Sequence, residues 1–519
     1  MTRSFWTARA VLLPAVLLLP ACLDTGQLQC IPGTVQCGDT CVETSTDSQN
    51  CGACGAACSG GNVCVGGACV CPVGQGVCNG LCTNVATDPK NCGQCGLQCG
   101  ASQACNQGVC QDCSTGTCQT ALVAACISGL NVGNLVRVHD APGGLFLESP
   151  FNPPGASFPD ALGVLGTALL YADDDSSSLF EVPLSNLGAA SSERPQIATI
   201  ANAGTTQVFV EPSDGGSRIY TTASSAQTIQ VFAGPPAADA GALLGDGSGA
   251  LGLVSLGGYA ADPGSYPEPF AKIGDDVFVP LNATGKVLRV NLSNPASAQV
   301  RDTYDLQALV NALPGGGQVT FDGGTLPLVP SPTQAIARNG AVYVAANVLR
   351  YTPVTLYGPP LVARIDPTKT GQAALSAVGG LVPTDGGTIT CQNVEWVAPL
   401  SAGAAAPSWM LVSCAGARTY DMNFDVTAVS NTQLVVMNGS DQVIDTWSPS
   451  TGLGQPPPSV GRAVPQNNTV YVADETASRL YVVDLVGNNV VERVGYVDGG
   501  TPPQICPSYI SDLKVVPAP

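Results

Sequence analysis

The sequence predicts an all-β protein, a six- or seven-bladed β-propeller preceded by a small disulfide-rich repeat region. Three observations point there. The 519 residues include 61 Gly and 41 Pro but only 11% charged residues. Gly and Pro cost roughly 1 and 3 kcal/mol in helix interiors, and the Lys, Glu and Arg that favour exposed helices are scarce. Cysteines crowd into residues 30–110 at fixed spacings, whereas short alternating strand pairs recur beyond about residue 130. An apolar content of 45% still supplies a sizeable core.

The formal charge is −19 with 19 Lys+Arg. Cations that sparse cannot form the basic surface a polyanion needs, so nucleic acid is excluded as a partner. The acidic balance reads as solubility for an exposed protein.

Residues 1–21 read as a signal peptide: Arg3 and Arg9 precede the apolar run from Ala10 to Leu19. That run is too short to span a bilayer core of about 30 Å. The following Leu19-Pro20-Ala21-Cys22 resembles the lipobox of bacterial lipoproteins. The resemblance implies cleavage before Cys22, diacylglycerol on its thiol and acylation of its new amine. Pro20 departs from the commonest lipobox residues, which leaves ordinary cleavage as the alternative. Several acyl chains at ~0.8 kcal/mol per buried CH₂ make release from a membrane negligible. Residues 22–29 form the lipidated tether, and Leu23 stands where an aspartate retains lipoproteins in the inner membrane. The expected location is the cell envelope, lipid-anchored, at the outer membrane and surface-exposed.

Residues 30–110 hold two copies of one cysteine pattern. Cys30, Cys37, Cys41, Cys51, Cys54, Cys58, Cys64 and Cys69 recur as Cys71, Cys78, Cys82, Cys92, Cys95, Cys99, Cys105 and Cys110, each displaced by 41. Seven spacings repeated among eight cysteines mark a tandem duplication. Asn50-Cys51-Gly52 and Asn91-Cys92-Gly93 recur with them, as do Gly55 and Gly96. Asn and Gly beside cysteine suggest tight turns with positive φ. Each unit has too few large apolar groups to fold unaided, so four bridges at roughly 2–4 kcal/mol each replace the core. The rival reading is zinc at Cys51-x2-Cys54 and Cys92-x2-Cys95. An oxidising destination and the absence of histidine from the region favour disulfides.

The run Asp47-x2-Asn50-Cys51-Gly52-x-Cys54-Gly55-x2-Cys58, repeated from Asp88 to Cys99, resembles the stigma-specific cysteine-rich secreted proteins of plants. It equally resembles cysteine-rich lipoproteins of large-genome Gram-negative bacteria. The resemblance implies an extracellular adhesive or spacer module and carries no catalytic residue. Six cysteines remain: Cys113, Cys118, Cys126, Cys391, Cys414 and Cys506. Their even number fits full pairing. Residues 111–130 read as a cysteine-containing linker. Cys126 and Cys506 bracket the head and are expected to bond, because a closed ring brings its ends together.

The head, residues 131–519, carries six strand-pair anchors roughly 50 to 70 residues apart. The clearest is Thr469–Asp474 with Arg479–Asp484; others lie at 169–182, 219–232, 277–290, 342–365 and 410–437. Such a period suggests four-stranded blades arranged radially, which protects sheet edges. A β-sandwich array is the alternative. The last strand, 512–516, is expected to complete a blade begun near 135–138, and 234–252 reads as an exposed insertion. The wording Tyr471-Val472-Ala473-Asp474 and Tyr481-Val482-Val483-Asp484 resembles YVTN-type surface propellers of prokaryotes. That likeness speaks to the blade and not to an activity.

Candidate chemistry is thin. His139 is the only histidine, so a histidine-based triad or metal site has one residue to build on. Asp173-Asp174-Asp175 with Ser176 or Ser178 offers calcium ligands or, more simply, a solvated turn, and Asp275-Asp276 reads the same way. Trp396, Trp409 and Trp447 pack the core or stack on sugars. No Walker loop, dinucleotide fingerprint or HExxH stretch is present. No cofactor and no catalytic residue is assigned. The expected function is a binding, adhesion or scaffold lipoprotein for a protein, peptide or glycan. The alternative is an extracytoplasmic lyase or glycosidase using Asp or Glu. Convergent acids in the propeller funnel would support the alternative, and an apolar or filled funnel would end it.

Overall fold

A computed structural model describes stretches of the chain between Cys30 and Val516. Outside the described residues lie 1–29, 517–519 and a series of connecting segments. The longest of these are 84–90, 113–119, 152–158, 188–195, 235–249, 257–265, 382–390, 401–408, 450–456 and 494–503. The signal peptide, Cys22 and the tether therefore lie outside them, as do Cys71, Cys99, Cys113, Cys118, Asp174 and Asp175. Of Cys82 and Cys105 only the strand placement is described. The chain divides into two compact units, Met1–Asn84 and Val85–Pro519.

In the first unit, short hairpins are held by Cys30–Cys41, Cys37–Cys54, Cys51–Cys64 and Cys58–Cys69. Cys51 and Cys54, the pair with zinc-like spacing, thus bond to different cysteines. The chain reverses at Gly52, between them, and at Gly55, directly after Cys54, with φ of 75° and 72°. A Cβ on Gly52 would stand 2.5 Å from the Gly67 carbonyl oxygen, so the turn requires glycine there. The Gly55 amide donates to Asn50 Oδ1 at 2.8 Å and the Cys51 amide to the Ala56 carbonyl at 2.8 Å. In the second repeat the Gly96 amide donates to Asn91 Oδ1 at 2.9 Å and the Cys92 amide to the Leu97 carbonyl at 2.8 Å. The duplicated letters are the duplicated turn. Cys78, Cys92, Cys95 and Cys110 are likewise disulfide-bonded.

Beyond the second repeat the larger unit is a seven-bladed β-propeller. Blade 1 comprises Thr120–Ser128, Val132–Ala141 and Gly144–Leu147, with Tyr509–Val516 as its innermost strand. The inner strands of blades 2 to 7 are Pro159–Leu165, Thr205–Glu211, Ala271–Ile273, Val329–Arg338, Val394–Leu400 and Val460–Gln466. In each of these blades successive strands pair antiparallel outward. Blade 5 shows the local logic: Asn339 and Gly340, at φ 50° and 72°, make the tight turn that joins Val329–Arg338 to Ala341–Arg350.

Every blade packs on both neighbours, so its second strand is buried on both faces. Ala168–Asp173 and Asp276–Leu281 are buried throughout, hence their near-continuous apolar runs. Seven apolar clusters fill the seven interfaces between blades. Each fully buried Leu, Val or Phe contributes roughly 1.5–3 kcal/mol.

The ring closes where Tyr509–Val516 pairs with Thr120–Ser128. Beside that pairing, Cys126 is bonded to Cys506 across 380 residues of sequence. Cys391–Cys414 ties the approach of blade 6 to its second strand. The strand Thr120–Ser128 corrects the reading of 111–130 as linker. Its small apolar residues do not alternate because both faces are covered, and a period-2 pattern is therefore missing. Likewise 234–252 is not all insertion, since its end enters Ala250–Ser255, the outer strand of blade 3.

Candidate functional site

One irregularity recurs in all seven blades and builds the site. Each inner strand carries one more residue than its partner opposes. The register slips between Ile510 and Asp512, Pro159 and Ala161, Thr205 and Gln207, Pro332 and Gln334, Val394 and Trp396, and Val460 and Ala463. In blade 4 the same surplus falls between Pro267 and Ala271. A bulge re-aims a side chain out of the pleat. The re-aimed residues line a central channel of about 700 Å³.

Around the ring the bulges alternate in chemistry. Blades 1, 3 and 5 present the hydroxyls Ser511, Thr206 and Thr333, whereas blades 2, 4 and 6 present the carboxyls Asp160, Glu268 and Glu395. Blade 7 presents Arg462. The hydroxyls are stitches: Ser511 donates to the Pro159 carbonyl at 2.7 Å, Thr206 to Pro267 at 3.0 Å and Thr333 to Glu395 at 2.7 Å. The residue after each hydroxyl accepts from the next blade's backbone. Asp512 takes the Leu162 amide at 2.8 Å, Gln207 the Phe270 amide at 3.0 Å and Gln334 the Val397 amide at 2.8 Å. With alternate blades stitched in this way, the carboxyls between them are left to face the axis.

Two loops complete the wall. Arg418, on the strand Ala417–Tyr420 that pairs with Val426–Ser430 in blade 6, pairs with Glu475 of blade 7 and lies 3.8 Å from Glu395. Gly461 makes room for this pair, since a Cβ there would run into the Glu475 side chain. Arg462 pairs with the buried Asp512 and stacks 4.4 Å from the Trp396 ring centroid. Asn347 is only 8% exposed, lines the channel and leaves its Oδ1 without a hydrogen-bond partner.

The setting perturbs the acids. Burial within the channel walls pushes the Glu268 carboxyl up to about 8, and Arg462 opposes this only in part. Burial likewise pushes Glu395 well above the usual carboxylate range, reinforced by Glu475 and opposed by Arg418. Burial alone would loosen the proton on Arg418, but Glu395 and Glu475 hold it more firmly. At neutral pH the channel therefore holds a neutral carboxylic acid beside ion-paired groups. It is neither apolar nor filled.

The residues singled out from sequence lie elsewhere. His139 is buried on the third strand from the axis in blade 1 and is absent from the channel lining. Asp173 is buried inside blade 2. Asp276 is not a solvated turn: it accepts from Arg289 Nε at 2.8 Å and Asn291 Nδ2 at 2.7 Å and pairs with Arg301. Burial would raise its pKa, yet these partners hold it below the ordinary value. Trp447 packs in the core with its Nε1 donating to Glu492, and Trp409 packs against the same cluster. Only Trp396 reaches the channel. The seven bulge positions recur 46 to 67 residues apart, a period shared with the strand anchors.

The profile of the stigma-specific STIG1-like protein family matches residues 70–113. No curated relative matches the chain. Among solved structures, a protein from Lactobacillus plantarum is 12% identical, with 77% of this chain and 99% of that one covered at a TM-score of 0.47. A 6-phosphogluconolactonase-like protein from Bacteroides fragilis is 10% identical, covering 78% and 100% at 0.44. A streptogramin B lyase is 12% identical, covering 69% and 95% at 0.37. The chain thus couples a cysteine-rich segment similar to the STIG1-like family to a seven-bladed β-propeller.

Proposed function

We propose that the protein is an exported, lipid-anchored binding protein of the cell envelope whose propeller holds a small polar ligand in its central channel. Cys22 anchors it, with the outer membrane favoured by Leu23, and the disulfide-stapled repeats act as spacer. One observation carries the reading: seven bulges aim polar residues at a common axis, around a cavity within the range of small-molecule sites. The unspent Asn347 oxygen supports it, because a buried acceptor left unpaired costs roughly 1–3 kcal/mol that a ligand donor recovers.

A second reading is catalysis of lyase or glycosidase type. It is favoured by Glu268, whose proton burial holds on at neutral pH, sharing a cavity with the Arg418-paired Glu475, so two carboxyls face one space. Native mass spectrometry of protein taken from its own envelope fraction tests both. Binding predicts a retained small molecule that Thr333→Trp, filling the channel, expels. If that molecule returns unchanged after incubation with fresh protein, the protein binds; if converted, it catalyses. Bare chain in both preparations removes the channel as a ligand site.

A further inference from the structure

The hydrogen bonds already made in the channel wall define what a ligand must bring. Ser511, Thr206 and Thr333 line the cavity. A hydroxyl has one proton, and these three donate theirs to backbone carbonyls of the next blade. Toward the channel they can therefore only accept. Asn347 is 8% exposed and lines the same cavity, and its Oδ1 accepts from nothing among the described residues. The wall is rich in acceptors that call for donors.

Those donors need no charge. Arg418 lies against Glu475 and Glu395, and Arg462 against Asp512. Asp160 is engaged as well. Glu268 differs: among the described residues its carboxyl receives no hydrogen bond, and burial keeps its proton on at neutral pH. A protonated carboxyl donates through O–H and accepts through C=O, the same two capacities a hydroxyl offers in return. Glu268 and Asn347 stand on the adjacent blades 4 and 5 and face one space of about 700 Å³. A metal ion does not suit this wall. Among the described residues, the one set of three or more candidate ligand groups within 4.8 Å is Cys51, Cys58 and Cys69, in the cysteine-rich unit.

The mouth adds aromatic surface. Tyr266 precedes the inner strand of blade 4 and Tyr509 begins that of blade 1, while Tyr420 lies in the connection between the second and third strands of blade 6. In an antiparallel blade those positions share one end of the propeller. All three tyrosines are 40% exposed or more, which leaves ring area to receive a ligand. Tyr266 is held at φ 42°, a left-handed conformation that a bulky side chain adopts only at a cost in backbone energy. Glycine would sit there without strain. The chain thus keeps a ring where the backbone disfavours one, two residues before Glu268. Sugars present apolar C–H faces to such rings and hydroxyls around their rim, and tyrosine suits a contact that is apolar on one side and wet on the other.

We propose that the channel holds a neutral carbohydrate. Its hydroxyls donate to Asn347 and to Ser511, Thr206 and Thr333, exchange hydrogen bonds with Glu268, and leave a sugar face for the tyrosines at the mouth. The inference rests on the channel being a ligand site and names the class of its occupant.

A glycan array probed with the full chain tests this, carrying neutral gluco-, manno-, galacto- and xylo-oligosaccharides beside uronic-acid and deacetylated amino-sugar oligomers. At least one neutral series is expected to bind, and the charged oligomers are not. For the neutral oligomer bound best, calorimetry should show less than about a twofold change in affinity between roughly 50 and 500 mM NaCl, because a contact without net charge is not screened. Glu268→Gln keeps a neutral donor and acceptor and should bind within about threefold of the parent, whereas Asn347→Leu removes the acceptor and should lose about tenfold. Binding of charged oligomers alone, collapse of binding in Glu268→Gln, or undiminished binding by Asn347→Leu overturns the inference. An array with no bound glycan overturns it too, and a non-carbohydrate molecule that Thr333→Trp expels would then leave the channel as the ligand site. Glycan binding that survives Thr333→Trp removes the channel itself.

Discussion

Removing Cys126–Cys506 should cost more than removing Cys391–Cys414, by an amount the sequence separations set. Both pairs are buried: Cys126 and Cys506 are 1% and 2% exposed, Cys391 and Cys414 3% and 0%. Replacing either pair by alanine therefore loses similar packing. The separations are 380 and 23 residues. Chain entropy then gives about 6 kcal/mol for the long closure and about 3.5 kcal/mol for the short one. Contributions common to both cancel in the difference of about 2.5 kcal/mol. For a head of this size a kcal/mol moves the melting temperature by about 1 °C, so the expected losses are about 7 °C and about 4 °C. Scanning calorimetry of C126A/C506A and C391A/C414A reads both. Equal losses, or a larger loss for C391A/C414A, would refute the view that the long bridge acts by closing the ring.

Three more outcomes are expected. The unfolded chain loses the Glu268 proton near 4.5 and the folded chain near 8, so the unfolded state binds fewer protons between those values and stability falls as pH rises. The slope is at most about 1.4 kcal/mol per pH unit, and denaturant titration of Glu268→Gln from pH 5 to 8 should show it flattened. Arg462→Met strands the buried Asp512 with only Lys514 3.7 Å away and should cost about 3 kcal/mol. Most of that loss should return in R462M/D512N, and chemical unfolding that finds the double variant no better than the single contradicts the pairing. Gly52→Ala must meet the Gly67 oxygen, while Gly55→Ala has open space and pays only for its φ. Non-reducing peptide maps should show Cys51–Cys64 depleted in the first and near normal in the second.

What could be read from the letters follows from what physics repeats. Covalent knots demand fixed spacings, so the 41-residue duplication is plain, and Asn50 and Asn91 mark its turns because their side chains serve the turn directly. Blade anchors are visible where a strand pair alternates, as at Tyr471 and Tyr481. Thr120–Ser128 escaped because burial on both faces erases alternation. The channel escaped for another reason. A bulge such as that at Glu395 leaves no local mark: the signal is a lone polar residue on an inner strand, legible only once the seven strands are aligned. Asp276 misled because a paired acid and a solvated one look alike until Arg289 and Asn291 are placed beside it.

Carbodiimide labelling, quantified residue by residue, addresses the channel most directly. Protein stripped of small molecules and then returned to an envelope extract should lose reactivity at Asp160, Glu268, Glu395 and Glu475. The exposed Asp322 should label as before. Unchanged labelling along the channel, or protection confined to the outer blade edges, would contradict a ligand held at the axis.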